Sequence, residues 1–309
     1  RSIAHPAAVC SVAVSPDGAL VATGSYDRAV RVFSALDGAL RATLAGHRDR
    51  VTALRFAPDG ATLASAGGAS SHREDRTVRL WNLASLGDGV ATPERVLRGH
   101  RGAVTAVAFS PDGARLITGT AAGIVHLWDL RDDQLLYLFV PSGSLYMAPD
   151  DARAVRALGF DHEGNTLWIA RADGMLTRHD AASAELLARY EPSPPGLTAA
   201  AVDPRDARSS GTHRSALVAA YADGSVRAWE APNGGDASVT PGAYDGPVTA
   251  LAFVSDPSSS LEGAAPTLLL AGARGLVARA SDGAPLEALD GAGRRARWPL
   301  LIEAPRSPR

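Results

Sequence analysis

The chain has 309 residues, 46% of them apolar, and a formal net charge of −2. That is enough for one large domain or two ordinary ones, without the charge excess that draws a protein to nucleic acid or an anionic membrane. All 31 basic residues are arginine, which excludes Schiff-base and lysine-base catalysis, and the single cysteine, Cys10, excludes an intramolecular disulfide and fits a reducing, intracellular (cytoplasmic or nuclear) setting.

In chain order, the stretch from Arg1 to Val14 lacks an initiator Met and the continuous apolar core of a signal peptide. It reads as the start of a piece of a longer chain or of a processed product. No apolar run reaches the roughly 18 residues that cross a bilayer. Val9 then opens the first of six short apolar runs, and Val51, Val104, Val155, Leu197 and Val248 open the others. Each run leads to an apolar anchor five residues on. The anchors stand in Val14-Ser15-Pro16-Asp17-Gly18, Phe56-Ala57-Pro58-Asp59-Gly60 and Phe109-Ser110-Pro111-Asp112-Gly113. Phe160-Asp161-His162-Glu163-Gly164 is a weaker copy, and Val202-Asp203-Pro204 and Phe253-Val254-Ser255 are the weakest. Short β-branched runs ending in Pro-Asp-Gly predict buried strands followed by tight turns.

A second signature, a turn followed by an alternating strand, follows each first one. It spans Asp27–Phe33, Asp75–Trp81, Ala122–Trp128, Asp173–His179, Asp223–Trp229 and a degraded Arg274–Ala280. Its central apolar residues, Val30, Val78, Val125, Leu176, Val226 and Val277, recur at intervals of 47 to 51 residues. A single amphipathic sheet of this length cannot bury both faces alone, so the copies must stack, and radial stacking also protects strand edges.

Gly46-His47, Gly99-His100, Trp81-Asn82 and Trp128-Asp129 resemble the Gly-His and Trp-Asp marks of WD-repeat proteins. The resemblance runs from about His5 to Leu289, strongest in copies one to three. It implies an all-β propeller of four-stranded antiparallel blades, with six repeats visible and six or seven blades in the full protein. Residues 1–290 are then the propeller, and 291–309 a basic and apolar tail, either a closing strand or disordered. Trp298-Pro299-Leu300-Leu301-Ile302 is apolar enough to close a ring, although Pro299 confines it to an edge. Either six blades close directly, or a further blade lies outside this segment; the abrupt start favours the second.

The family pattern also implies a buried His, Ser/Thr, Asp and Trp network in each blade, because buried polar groups must be paired. Copy two carries all four as His47, Ser65, Asp75 and Trp81. Copy one has His5, Thr23 and Asp27, with Phe33 in place of Trp; copy three has His100, Thr118 and Trp128, with Ala122 in place of Asp. These residues recur in phase in blades that cannot all be active sites, which marks them as structural and not catalytic.

The chain has no His-Glu-x-x-His, Cys-x-x-Cys, P-loop or Gly-x-Ser-x-Gly pattern. Gly291-Ala292-Gly293-Arg294-Arg295-Ala296 has too few residues after it for a dinucleotide fold. No enzyme, metal or cofactor is expected; the expected partners are other proteins or peptides, bound by loops of a scaffold. Arg28, Arg50, Arg73 and Arg76 should lie toward one face, as an acidic-peptide site or as a solvated rim. Leu145, Tyr146 and Met147, in the insertion 141–153, are either an interface or packing over the blade. Leu116 to Arg131 resembles the Trp-Asp-x-Arg box by which some WD-repeat proteins dock the adaptor of a cullin-type ubiquitin ligase. Trp128, Asp129 and Arg131 would carry that docking, against the departure at Ala122. A propeller enzyme is the remaining alternative, for which no convergent catalytic set appears.

Overall fold

The computed structural model describes residues 4–68, 75–84, 89–140, 153–190, 196–202, 216–230, 238–240, 248–254, 267–272 and 275–280. They form six sheets and, among the described residues, no helix. Blade 1 holds β1 (Val9–Val14), β2 (Leu20–Ser25), β3 (Val30–Ser34) and β4 (Leu40–Leu44). In blade 2, β5 (Val51–Phe56), β6 (Thr62–Gly67) and β7 (Val78–Asn82) are completed by β9 (Arg95–Leu97). The segment between β7 and β9, β8 (Gly89–Ala91), leaves its own blade and adds parallel to β4 as a fifth strand of blade 1. Blade 3 is β10 (Val104–Phe109), β11 (Arg115–Thr120), β12 (Val125–Asp129) and β13 (Gln134–Phe139). Blade 4 is β14 (Val155–Phe160), β15 (Thr166–Arg171), β16 (Leu176–Asp180) and β17 (Leu186–Tyr190). Blade 5 is β18 (Leu197–Val202), β19 (Ala216–Tyr221), β20 (Val226–Glu230) and β21 (Ser238–Thr240).

The sixth sheet has three strands among the described residues, β22 (Val248–Val254), β23 (Thr267–Gly272) and β24 (Gly275–Ala280). Among the described residues, the expectation of six or seven four-stranded blades is thereby corrected to five complete ones. β23 and β24 pair down to Gly272 opposite Gly275. Residues 281–309 lie outside the described residues.

The chain divides into two compact units, Arg1–Ala172 with Thr177–Leu187, and Asp173–Leu176 with Ala188–Arg309. In the first unit the leading strands pack in sequence, β1 against β5, β5 against β10 and β10 against β14; in the second, β18 packs against β22. The apolar clusters of the first unit fall between blades. Leu44, Val51, Leu63 and Trp81 join blades 1 and 2; Val78, Val104, Leu116 and Trp128 join blades 2 and 3; Val125, Leu127, Val155 and Leu167 join blades 3 and 4. A blade is therefore stable only against its neighbour, as the repeat requires. Polar bridges follow the same line: the Thr52 hydroxyl donates to the carbonyl of Val104 and that of Thr105 to the carbonyl of Val155, 2.7 Å away.

All six leading strands carry a register shift at the same place, after Val9, Val51, Val104, Val155, Leu197 and Val248. A bulge adds local twist, and here it recurs at the same position of each leading strand. In the Pro-Asp-Gly turns, Oδ1 of Asp17, Asp59 and Asp112 accepts the backbone N–H two residues on, at 3.0, 2.9 and 3.1 Å. These aspartates are turn formers of the Asx kind.

Candidate binding cleft

Blade 2 holds its polar network in one line of protons. Asp75 is 2% exposed, and its carboxylate fixes the direction of the line because it can only accept. His47 Nδ1–H donates to Asp75 Oδ2 at 2.8 Å, so His47 Nε2 accepts the Ser65 hydroxyl at 2.7 Å. Ser65 Oγ in turn accepts the indole N–H of Trp81 at 2.7 Å. Asp75 also receives the backbone N–H of Arg48 at 2.7 Å and both the N–H and hydroxyl of Thr77, at 3.2 and 2.5 Å. Burial alone would raise the Asp75 carboxyl, but the hydrogen bonds from His47, Thr77 and Arg48 outweigh it and hold the group well below the usual carboxylate range. Burial likewise pushes the His47 imidazole down, against the pull of Asp75. Gly67 is required here, since a Cβ at that position would lie 2.6 Å from His47 Nδ1 and 2.7 Å from the Asp75 carboxyl carbon.

Blade 3 keeps the same proton direction without the aspartate. His100 Nδ1–H donates to the backbone carbonyl of Arg76, in the turn of blade 2, at 3.1 Å. Nε2 then accepts the Thr118 hydroxyl at 2.8 Å, and Thr118 accepts the Trp128 indole at 3.1 Å. A carbonyl of the neighbouring blade thus does what Ala122 cannot. The position after Val125 changes accordingly. In blades 1 and 2 an arginine stands four residues after the turn aspartate, Arg31 at 2.8 Å from Asp27 and Arg79 at 3.8 Å from Asp75. In blade 3 that place belongs to His126, whose ring lies 4.5 Å from that of His100. Burial lowers both to about 4, so both are neutral near pH 7, and a neutral ring needs no carboxylate.

Blade 1 departs from the expected linkage. His5 Nδ1 has no hydrogen-bond partner and its ring packs edge-on to Phe33 at 5.5 Å, while Asp27 turns to Arg31. Among the described residues Thr23 donates to the carbonyl of Arg31, at 3.5 Å. With Phe33 in place of Trp there is no indole donor to complete the line.

Beside the blade 2 network opens a cleft of about 880 Å³, lined by Arg28, His47, Arg48, Asp75, Arg76, Thr77, Arg79, Arg98, Gly99 and His100. Its parts come from the β2–β3 turn of blade 1, the β6–β7 turn of blade 2, and the links that carry the two Gly-His pairs. Among the described residues its lining holds five arginines and one carboxylate, that of Asp75, which already accepts within the network. Among the described residues, neither Arg28, Arg48 nor Arg98 has an acidic partner. Arg79 lies at the floor, 9% exposed, with Nε unsatisfied. Burial, with the charges of Arg98 and Arg48, lowers its pKa against the pull of Asp75. Gly46 makes room for it: its φ is +149°, and a Cβ there would sit 2.7 Å from an Arg79 guanidinium nitrogen. Arg28 has φ +71°, the left-handed region, where the matching turns of blades 3, 4 and 5 have Gly123, Gly174 and Gly224 at +80°, +82° and +80°. An arginine held there carries a cost of about 1–3 kcal/mol that a glycine would not.

Of the arginines proposed from sequence, the structure brings Arg28 and Arg76 into the cleft. Arg50 lies elsewhere: it donates to the Tyr26 hydroxyl at 2.7 Å and to the carbonyl of Gly68 at 3.2 Å, with its guanidinium 5.1 Å from the centre of the Tyr26 ring. Arg73, Leu145, Tyr146 and Met147 lie outside the described residues. Arg48, Arg79 and Arg98 were not singled out from sequence, although Arg48 and Arg98 flank the two Gly-His pairs. At the other end of blade 3, Asp129 accepts the backbone N–H of Arg131 at 2.9 Å, Trp128 is buried, and the Arg131 side chain is 76% exposed.

A family model described as WD domain, G-beta repeat matches residues 1–34, 38–82 and 91–129. The chain is 30% identical over 263 residues to the human WD repeat and SOCS box-containing protein 1, covering 70% of this chain and 58% of that protein. It is 31% identical over 163 residues to the WD repeat-containing protein VIP3 of Arabidopsis thaliana, covering 49% of each. An uncharacterized WD repeat-containing protein of Synechocystis is 40% identical over 108 residues, 35% of this chain and 28% of its own. The chain therefore spans less than two thirds of the length of these relatives.

Proposed function

The chain belongs to the WD-repeat family, and from that premise we propose that it is a non-catalytic protein-interaction scaffold whose arginine cleft between blades 1 and 2 receives an acidic segment of a partner protein. The observation that carries this reading is that Arg28, Arg48 and Arg98 line the cleft without an acidic partner among the described residues, while Asp75 beside them is already committed to the blade 2 network. Guanidinium forks match carboxylate oxygens two at a time, and a recess strengthens such pairs relative to open water. The blade 2 network supplies rigidity: Asp75 and His47 wall the cleft and are locked by Ser65 and Thr77.

The test is retention of the protein on immobilised Asp/Glu-rich degenerate peptides, compared with Asn/Gln-rich ones. Retention on the acidic set, lost in an Arg48→Gln, Arg98→Gln double variant that melts like the parent, supports the reading. Equal retention on both sets, or retention indifferent to the double substitution, contradicts it.

A second reading is supported by the exposure of Arg131, which sits at the Pro-Asp-Gly end of blade 3, opposite the cleft end. Under it the Trp-Asp-x-Arg segment at 128–131 docks the adaptor of a cullin-type ubiquitin ligase while the cleft holds a substrate. Capture of purified adaptor, abolished by Arg131→Ala, tests it; equal capture by parent and variant sinks it.

A further inference from the structure

We propose that the outer edge of blade 3 is a dimer interface, where β13 pairs antiparallel with β13 of a second copy of this chain. This edge shares no residue with the cleft, and its role is independent of the acidic-segment reading.

The outermost strand of a blade leaves a row of backbone groups free to pair, and proteins blunt such edges with charge, shortness or cover. Among the described residues, four of the five complete blades do so. β8 covers β4, β9 and β21 are three residues long, and β17 carries Arg189. β13 has none of these devices. It is six residues long, ends its sheet without a further partner among the described residues, and has no charged residue from Gln134 to Val140. Leu136, Leu138 and Val140 are between 41 and 48% exposed.

Blade 1 shows that such an edge accepts a strand, and where. β4 and β13 share one irregularity. Arg41 is an extra residue between Leu40, opposite Phe33, and Ala42, opposite Val32. Leu136 is the extra residue between Leu135, opposite Trp128, and Tyr137, opposite Leu127. β8 pairs with Ala42, Thr43 and Leu44, the three residues after the extra one. The equivalent stretch of β13 is Tyr137-Leu138-Phe139. Blade 4 already holds one face of it: the Tyr137 hydroxyl donates to the carbonyl of Ala182 at 2.6 Å, and the Phe139 ring lies edge-on to His179 at 4.9 Å. Leu138, opposite His126, stands on the other face.

A second copy fits this stretch in one register. With the two-fold axis at Leu138, that residue meets Leu138 of the other copy, Leu136 meets Val140, and Tyr137 meets Phe139. Each exposed aliphatic side chain gains an apolar neighbour, and an aromatic pair forms twice, the kind of cross-strand pair that stabilises a sheet. Asp132 and Asp133 stand before this ladder, and Pro141, which has no N–H, follows it. The same operation sets Arg41 against Thr43 in β4 and Arg189 against Leu187 in β17, so neither offers an uncharged match to itself. A contact of one edge with its own copy closes at two chains.

Sedimentation equilibrium of the full chain over a wide concentration range should show a reversible monomer–dimer equilibrium. Leu138→Lys sets two ammonium groups against each other across the axis and should weaken the dimer about ten-fold or more. Leu187→Lys, similarly exposed on the outer strand of blade 4, should leave it unchanged. Melting curves of the dilute variants separate loss of pairing from loss of fold. Cys10 is an exposed thiol, so cross-linking is read in a Cys10→Ser background. There Leu138→Cys should join two copies on oxidation, and Leu135→Cys should not. A monomer at every concentration, a dimer indifferent to Leu138→Lys, or one weakened equally by Leu187→Lys overturns the proposal. Cross-linking through Leu135→Cys in place of Leu138→Cys overturns it as well, because the apolar match holds only in the register centred on Leu138.

Discussion

Replacing Asp75 with alanine removes the acceptor on which blade 2 is organised. Four donors lose their partner at once: His47 Nδ1–H, the Arg48 N–H, and the N–H and hydroxyl of Thr77. Asp75 is 2% exposed, so water reaches the orphaned donors only from the side of the cleft. Arg79 loses the carboxylate 3.8 Å from its guanidinium. Hydrogen bonds to a charged group contribute about 1.5–3 kcal/mol each, but they share one group and are not additive. Removal of one partner from a buried pair costs about 3–5 kcal/mol, and that is the loss expected for Asp75→Ala. The assay is urea unfolding followed by tryptophan fluorescence, with Asp112→Ala as control. Asp112 is the same residue type in an exposed turn with one hydroxyl and one backbone donor, and its loss should stay within about 1 kcal/mol. An Asp75→Ala variant that loses no more than Asp112→Ala refutes the proton line derived for blade 2.

Ser65→Ala breaks the link between His47 and Trp81 and should cost about 1–3 kcal/mol, with a changed Trp81 emission visible in the same unfolding curves. Arg28→Gly removes a left-handed arginine and should raise stability by about 1 kcal/mol while weakening retention on acidic peptides; a rise in stability with binding untouched removes Arg28 from the site. Stability should fall as pH drops from about 6.5 toward about 4. His100 and His126 have folded-state pKa values of about 4 against about 6.5 when unfolded, so across that window the unfolded chain binds more protons. Below it, protonation of Asp75 continues the loss. Gln at position 126 should flatten the upper part of that pH profile, measured as melting temperature against pH; an unchanged profile contradicts the neutral His126 assignment.

The fold was legible where local chemistry repeats. Pro-Asp-Gly fixes a turn by itself, and a β-branched run before it fixes a strand, so strands such as β5 and β10 are readable at Val51 and Val104. The fifth strand of blade 1 was not, because Gly89-Val90-Ala91 has no strand pattern and exists only through pairing with Ala42, Thr43 and Leu44. The Gly-His and Trp marks located His47, Ser65, Asp75 and Trp81, but nothing local says that His100 takes the Arg76 carbonyl in place of an aspartate. That substitution depends on where the blade 2 turn meets the next link. The cleft was half legible for the same reason. Arg28 and Arg76 were visible as turn arginines, whereas Arg48 and Arg98 converge only because consecutive links arrive at one end of neighbouring blades. Arg79 reads as a strand residue, and its role follows from a distance of 3.8 Å that no pattern encodes. Arg50, two residues beyond Arg48, faces Tyr26 instead.

The placement of the ligand is tested most directly by hydrogen exchange of backbone amides in the free protein and in the presence of the Asp/Glu-rich peptides. Added protection is expected at residues 46–49, 75–79 and 97–100, around the cleft, with the Pro-Asp-Gly turns at 57–61 and 110–114 unchanged. Protection confined to those turns, or to any segment away from the arginines, contradicts the account.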